Sequence, residues 1–263
     1  MPIKIPDHSP WRSQVLVTKA LLHRELVTRF GKYKLGAIWA FADPLLSVIV
    51  IGVILGPLIG RSSGDIPYPF FLLCGFMLLN MLSGSMSAGI GAAGANKGLM
   101  VFKKVQAFDP FVARFIFIFL INASALIVFC IVAYWIGIDV SVQRIPEAAI
   151  CIILTWLIGS GLGLFLGIAT LKFNELEKIV GYIQRPLLFL SCVLYPLDAI
   201  PPQYAHYLLY NPLVHTIEYM RMMLFPSYVA NGVNLYYPTA CVVVSFAVGI
   251  TAYRNNRHFL TQQ

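Results

Sequence analysis

The chain has 263 residues, of which 59% are hydrophobic and 11% charged, with a mean hydropathy of +0.77. So many uninterrupted apolar segments exclude a soluble domain and define an integral membrane protein. The formal charge of +8 is spread along the edges of the apolar runs, where cations orient helices, so nucleic acid is not an expected partner.

Residues 1–34 are polar and basic. Lys4, Arg12, Lys19, Arg24, Arg29, Lys32 and Lys34 surround Val15, Leu16, Leu22, Leu26, Val27 and Phe30, which recur at helical spacing. An amphipathic helix with a cationic rim lies in the membrane interface or packs on a partner, and the interface is the expected place. No short apolar core followed by a small-residue cleavage site opens the chain, so the first span is expected to be retained.

Six apolar runs follow, at 35–59, 69–88, 111–137, 147–171, 179–197 and 237–253. A hydrocarbon core takes about 20 residues of helix, so the expected fold is an all-α polytopic membrane protein with six spans. The first run carries Pro44, Gly52, Gly56 and Pro57, which mark kinks. Its one charge, Asp43, is either a helix-terminal structural group or part of a polar pathway. Small residues at 83–89, and at Gly159, Gly161, Gly163 and Gly167, allow close helix approach, expected inside one subunit. The stretch 196–236 is too broken by Pro201, Pro202, Pro212 and Pro226 to span. Its Tyr204, Tyr207 and Tyr210 suit short re-entrant helices dipping into the outer leaflet. Cys74, Cys130, Cys151, Cys192 and Cys241 lack CxxC spacing and are expected as small buried hydrophobes, with no metal site or disulfide framework.

Lys and Arg number seven before the first span, then one, four, one, three and one in successive loops, and two in the tail. Sixteen fall on one side and three on the other, so both termini are expected in the cytoplasm and 196–236 outside. The stretch 94–114, GANKGLMVFKKVQAFDPFVAR, is then cytoplasmic. It sets Lys97, Lys103, Lys104 and Arg114 against Asp109, with Leu99, Met100, Val101 and Phe102 as an apolar edge. Such a loop either docks on a partner or rests on anionic headgroups.

Several chemical patterns fail on context. Gly89-x-Gly91-x-x-Gly94 follows no strand, and no GxxxxGK[ST] loop occurs, so neither a dinucleotide nor ATP is expected on this chain. No His lies in any apolar run and no GxSxG occurs, which leaves an intramembrane hydrolase unsupported. His215, Glu218 and Arg221 are three apart. They form either a proton site or, as expected for a segment outside the core, a surface ion pair holding a short helix.

Residues 24–44, RELVTRFGKYKLGAIWAFADP, resemble the interfacial helix and first span of permease subunits in the type-2 ABC exporter family. The loop 96–110 is similar to that family's coupling loop. Pro196 after Tyr195, Pro201 after Ile200, and Asn211, Pro212, Glu218 and Arg221 are similar to its motif after the fifth span, so these residues are assigned to the re-entrant structure. Through KGLMVFKKVQAFDPFVAR, NELEKIVGYIQRPLLFLSCVLYPLDAIP and YNPLVHTIEYMR the chain most resembles the capsular polysaccharide export permeases of Gram-negative bacteria. The family commonly has Asn where this chain has Asp43, so no detailed role carries over to that position.

The resemblance implies a multi-pass permease of the bacterial inner membrane. It would pair with a second copy of itself and with two nucleotide-binding ATPase subunits, which hold the ATP and Mg; the chain itself binds no cofactor. It would move a lipid-linked polysaccharide from cytoplasm to periplasm, handing it to periplasmic and outer-membrane export proteins. Asn96, Leu99, Met100, Phe102, Lys103, Lys104 and Asp109 would couple to the ATPase, while Trp39, Phe41, Asp43, Phe189 and Tyr195 would line the pathway, aromatic faces stacking on sugar rings. Each of these aromatics fits an interfacial belt or helix packing equally well. A same-family exporter of O-antigen, teichoic acid or a small drug, and a noncatalytic assembly scaffold, stay open.

Overall fold

The computed structural model of the chain describes residues 10–30, 46, 48–57, 66–99, 106–138 and 140–261. Trp39, Phe41, Asp43, Met100, Phe102, Lys103 and Lys104 lie outside the described residues, as do the side chains of Asn96 and Leu99. Among the described residues every regular element is helical: α1 (Pro10–Phe30), α2 (Val48–Pro57), α3 (Tyr68–Leu99), α4 (Asp109–Ile136), α5 (Ile145–Lys172), α6 (Leu176–Leu190), α7 (Pro202–Leu208), α8 (Pro212–Leu224) and α9 (Tyr236–Thr261). Short 3-10 turns occupy Val142–Arg144 and Leu197–Ala199. By length and composition, four described stretches can cross a bilayer: Tyr68–Gly94, Asp109–Ile136, Ile145–Lys172 and Tyr236–Asn256.

Helix α5 is the axis of the bundle, packed along α3 on one side and α9 on the other. Its glycines make this possible, because the helix backbones touch. A Cβ on Gly89 of α3 would lie 2.1 Å from the Gly163 carbonyl oxygen, and one on Gly167 would lie 2.5 Å from that of Gly89. The opposite face uses Gly161 against Ser245 and Gly249 against Gly161. The small-residue stripes therefore serve packing within one chain. Helix α4 begins with Pro110 in its first turn and ends at Gly137, whose φ of +77° turns the chain out of the helix. Trp156 of α5 donates its Nε1–H to the Phe115 carbonyl of α4 at 2.8 Å, tying the two together.

Helix α6 departs from the expected fifth span. It stops at Leu190 after 15 residues, about 22 Å at 1.5 Å per residue, short of the roughly 30 Å hydrocarbon thickness. Two residues on, the chain turns at Cys192, a non-glycine residue held at φ +54°, a conformation that an L side chain adopts only when its surroundings hold it there. Past this turn, α7 and α8 form a cap over one end of the bundle, where α3, α5 and α9 begin and α4 ends. The opposite end carries α1, packed against α4. Of the five cysteines, all free, Cys74, Cys151 and Cys192 are buried, whereas Cys130 and Cys241 are partly exposed.

Candidate functional site

At the α1 end a polar cleft is cut into the apolar bundle. Asn80, Ser83, Gly84 and Ser87 follow the i, i+3, i+4, i+7 spacing that puts them on one face of α3. With Glu25 of α1 and Arg114 of α4 they line a cavity of about 350 Å³. Arg114 Nε lies 3.3 Å from Glu25 Oε2, each side chain about a quarter exposed, and the guanidinium rests over Gly91, where a Cβ would lie 2.2 Å from Nη1. Gln184 of α6 reaches across to donate to the Ser83 carbonyl and to Ser87 Oγ, both at 3.3 Å. Polar side chains at membrane depth are costly unless they face one another or an aqueous cavity, and these do both.

Helix α1 is held here by two polar contacts to α4, the Glu25–Arg114 pair and a hydrogen bond from Gln14 Nε2 to Asp109. Asp109 also accepts from the Gln106 N–H at 2.8 Å and is 2% exposed. In the single chain the Asp109 carboxylate thus closes the start of α4. The adjoining Phe108 ring packs edge-on against Tyr253 of α9 at 5.3 Å.

At the capped end the structure overturns the expectation of a surface ion pair. Glu218 and Arg221 are fully buried. Arg221 Nη1 donates to Glu218 Oε1 and to the Cys192 carbonyl, both at 2.8 Å, and Nη2 donates to the carbonyls of Val193 at 2.9 Å and Phe71 at 3.2 Å. The guanidinium lies 3.4 Å from the centre of the Phe71 ring. Tyr228 donates its hydroxyl to Glu218 Oε2. One buried cation thus joins α8, the turn after α6 and the first turn of α3. The i, i+3 spacing revealed the shared face, but depth depends on which carbonyls the cap brings to that face.

His215 does not join this pair. Its Nδ1 accepts from the Asn234 N–H at 3.1 Å, which leaves Nε2 to donate to the Leu209 carbonyl at 2.9 Å. Burial pushes the imidazole below its ordinary pKa, opposed in part by the bond to Leu209. A proton site shared by His215, Glu218 and Arg221 is therefore not what these residues form. Asn211 caps α8 through the Leu213 N–H at 3.0 Å and donates to Leu190 O and Ser191 Oγ, with Pro212 in the first turn. Pro196 and Pro201 are extended residues leading into the 3-10 turn and α7. Phe189 is exposed, while the half-buried Tyr195 donates its hydroxyl to the Phe189 carbonyl.

The chain matches the family model described as ABC-2 type transporter over residues 17–225. It is 33% identical to the polysialic acid transport protein KpsM of Escherichia coli, over 94% of this chain and 95% of that protein. It is 28% identical to the capsule polysaccharide export inner-membrane protein CtrC of Neisseria meningitidis serogroup B, over 91% and 92% of the two chains. To the capsule polysaccharide export inner-membrane protein BexB of Haemophilus influenzae it is 26% identical, over 78% and 77%.

Proposed function

This chain belongs to the ABC-2 type transporter family, and from that premise we propose that it is the inner-membrane permease for export of a capsular polysaccharide. The observation that carries the proposal is likeness, over nine-tenths or more of the chain, to proteins named for polysialic acid transport and capsule export. The polar cleft supports it, because a hydroxyl-rich cargo needs hydrogen-bonding groups where lipid offers none. The α1 end is cytoplasmic in this reading, on the strength of the sixteen cations against three. Six crossings arise when the first apolar run and α6 are counted with the four long helices.

ATP is hydrolysed on separate subunits, two of them against two copies of this chain, and the loop 94–110 transmits their movement. The cargo is lipid-linked and passes to periplasmic and outer-membrane export proteins. Deleting the chain should abolish surface polysaccharide and leave the polymer inside the cell. Wild-type chain should restore export, while Ser83→Leu/Ser87→Leu, which fills the cleft with apolar groups, should insert normally and export poorly. Unchanged surface polysaccharide after deletion would sink the proposal.

A further inference from the structure

The capped end holds a second cavity, of about 240 Å³, between α7, α8 and the turn leading into α9. Its walls are mostly rings: His206, Tyr210, His215 and Tyr237. His206 and Tyr210 meet edge to face with centres 5.2 Å apart, and the Tyr210 hydroxyl lies 3.3 Å from His206 Nε2. His215 and Tyr237 are 5.3 Å apart. Hydrogen bonds lock the frame. Tyr237 donates its hydroxyl to the Tyr210 carbonyl at 2.7 Å, Asn234 Oδ1 accepts from the Tyr237 N–H at 3.0 Å, and the Asn234 N–H binds His215. Gly232, at φ +77°, forms part of the wall, and a Cβ there would be strained and would meet Leu209 Cδ1 at 3.4 Å.

An aromatic anchor of the membrane interface presents its ring singly to the headgroups. Here the rings turn towards one another around a concavity and are held by neighbouring backbone. Ring faces edged by imidazole, phenol and amide groups match a ligand with apolar C–H faces and a rim of hydroxyls, which is the chemistry of a pyranose. A fatty chain would bring no hydrogen-bonding group to these polar ring edges, whereas the hydroxyls of a sugar would. The described lining contains no Lys or Arg to draw an anion. The cavity is smaller than the roughly 300–1,000 Å³ of drug-sized sites, in keeping with one sugar ring and not a folded partner. Resting on the polysaccharide-export reading, we infer that this pocket is a saccharide-binding subsite that receives a sugar ring of the polymer as it leaves the membrane.

Photo-crosslinking in intact polysaccharide-producing cells tests this for any sugar the polymer contains. Tyr207 is 68% exposed and its ring lies 5.7 Å from His206, so p-benzoylphenylalanine at 207 sits at the pocket rim. The same group in place of Trp135, 84% exposed at the capped end of α4, is the control. Irradiation should give a high-mass adduct positive for glycan from position 207 and several-fold less per inserted chain from 135. Tyr210→Ala should lower the 207 adduct about two- to tenfold, the range expected for a lost ring contact, while Tyr210→Phe should keep it. His206→Ala serves as the second ring removal if the Tyr210→Ala chain fails to accumulate. Equal glycan adducts at both positions, an adduct of protein or lipid only, or indifference to removal of the rings would overturn the subsite. If export depends on the chain and position 207 yields no glycan adduct, the subsite alone fails. If export is independent of the chain, the transport reading fails and the subsite with it.

Discussion

Arg221 uses four of its five donors on a carboxylate and three carbonyls, and its Nε–H has no partner among the described residues. A buried pair satisfied in this way stabilises weakly overall, but removing one partner leaves the other charged and desolvated, at a cost of about 3–5 kcal/mol. Arg221→Met should therefore lower the unfolding temperature of the purified chain sharply. Glu218→Gln/Arg221→Met should be less damaged than Arg221→Met alone, although three carbonyls still lose their donor. Wild-type stability in Arg221→Met would show that the pair does not hold the cap. His215 gives a pH dependence of known sign. Its folded pKa is depressed by burial, so the unfolded chain takes up a proton first as pH falls. Stability is fully present above the ordinary value of about 6.5 and is lost below it, through the folded value. The melting temperature measured from pH 8 to pH 5 should fall more steeply for wild type than for His215→Gln, and equal slopes would remove His215 from the account.

At the scale of helices, apolar run length and small-residue spacing made much of the bundle legible. The glycines at 89, 161, 163 and 167 were readable as a packing face because two or more backbones can approach only where Cβ atoms are missing. Gly163→Leu should prevent accumulation of folded chain, since even tolerated overpacking costs about 1–3 kcal/mol and here the neighbours are backbone atoms at 2.5 Å. Gly94→Ala, with nothing within 4 Å, is the control, and equal yields in a detergent-stable fraction would contradict the packing. Composition was a poor guide where chain direction mattered. The run 179–197 is mostly apolar, yet α6 ends at Leu190 and the chain turns at Cys192, whose carbonyl meets Arg221. The same turn buries α8, which proline content had marked as peripheral. The burial of Asp109 was not legible for a related reason, since a charge in a basic loop looks exposed until Gln14 and Gln106 are seen to enclose it.

For the whole molecule, the site divided unevenly between sequence and structure. The polar cleft was not foreseen, because Asn80, Ser83 and Ser87 come from one helix, Glu25 and Arg114 from two others, and only packing brings them together. The coupling surface, by contrast, rests on the resemblance and on the basic–apolar pattern of 94–110. If the proposed coupling holds, Phe102→Asp should abolish export while the chain stays inserted, because an acid in the proposed ATPase pocket would be desolvated without a partner. Lys103→Ala should change little, a rim cation being worth under about 1 kcal/mol. Surface polysaccharide and recovery of the ATPase on the purified chain report both outcomes, and normal export by Phe102→Asp would defeat the coupling assignment. The most direct measurement uses inverted inner-membrane vesicles from polysaccharide-producing cells, scoring polymer protected from added glycosidase. The account predicts that protection appears with ATP only when this chain and its ATPase are both present. Protection that is unchanged when the chain is absent, or that needs no ATP, would contradict it.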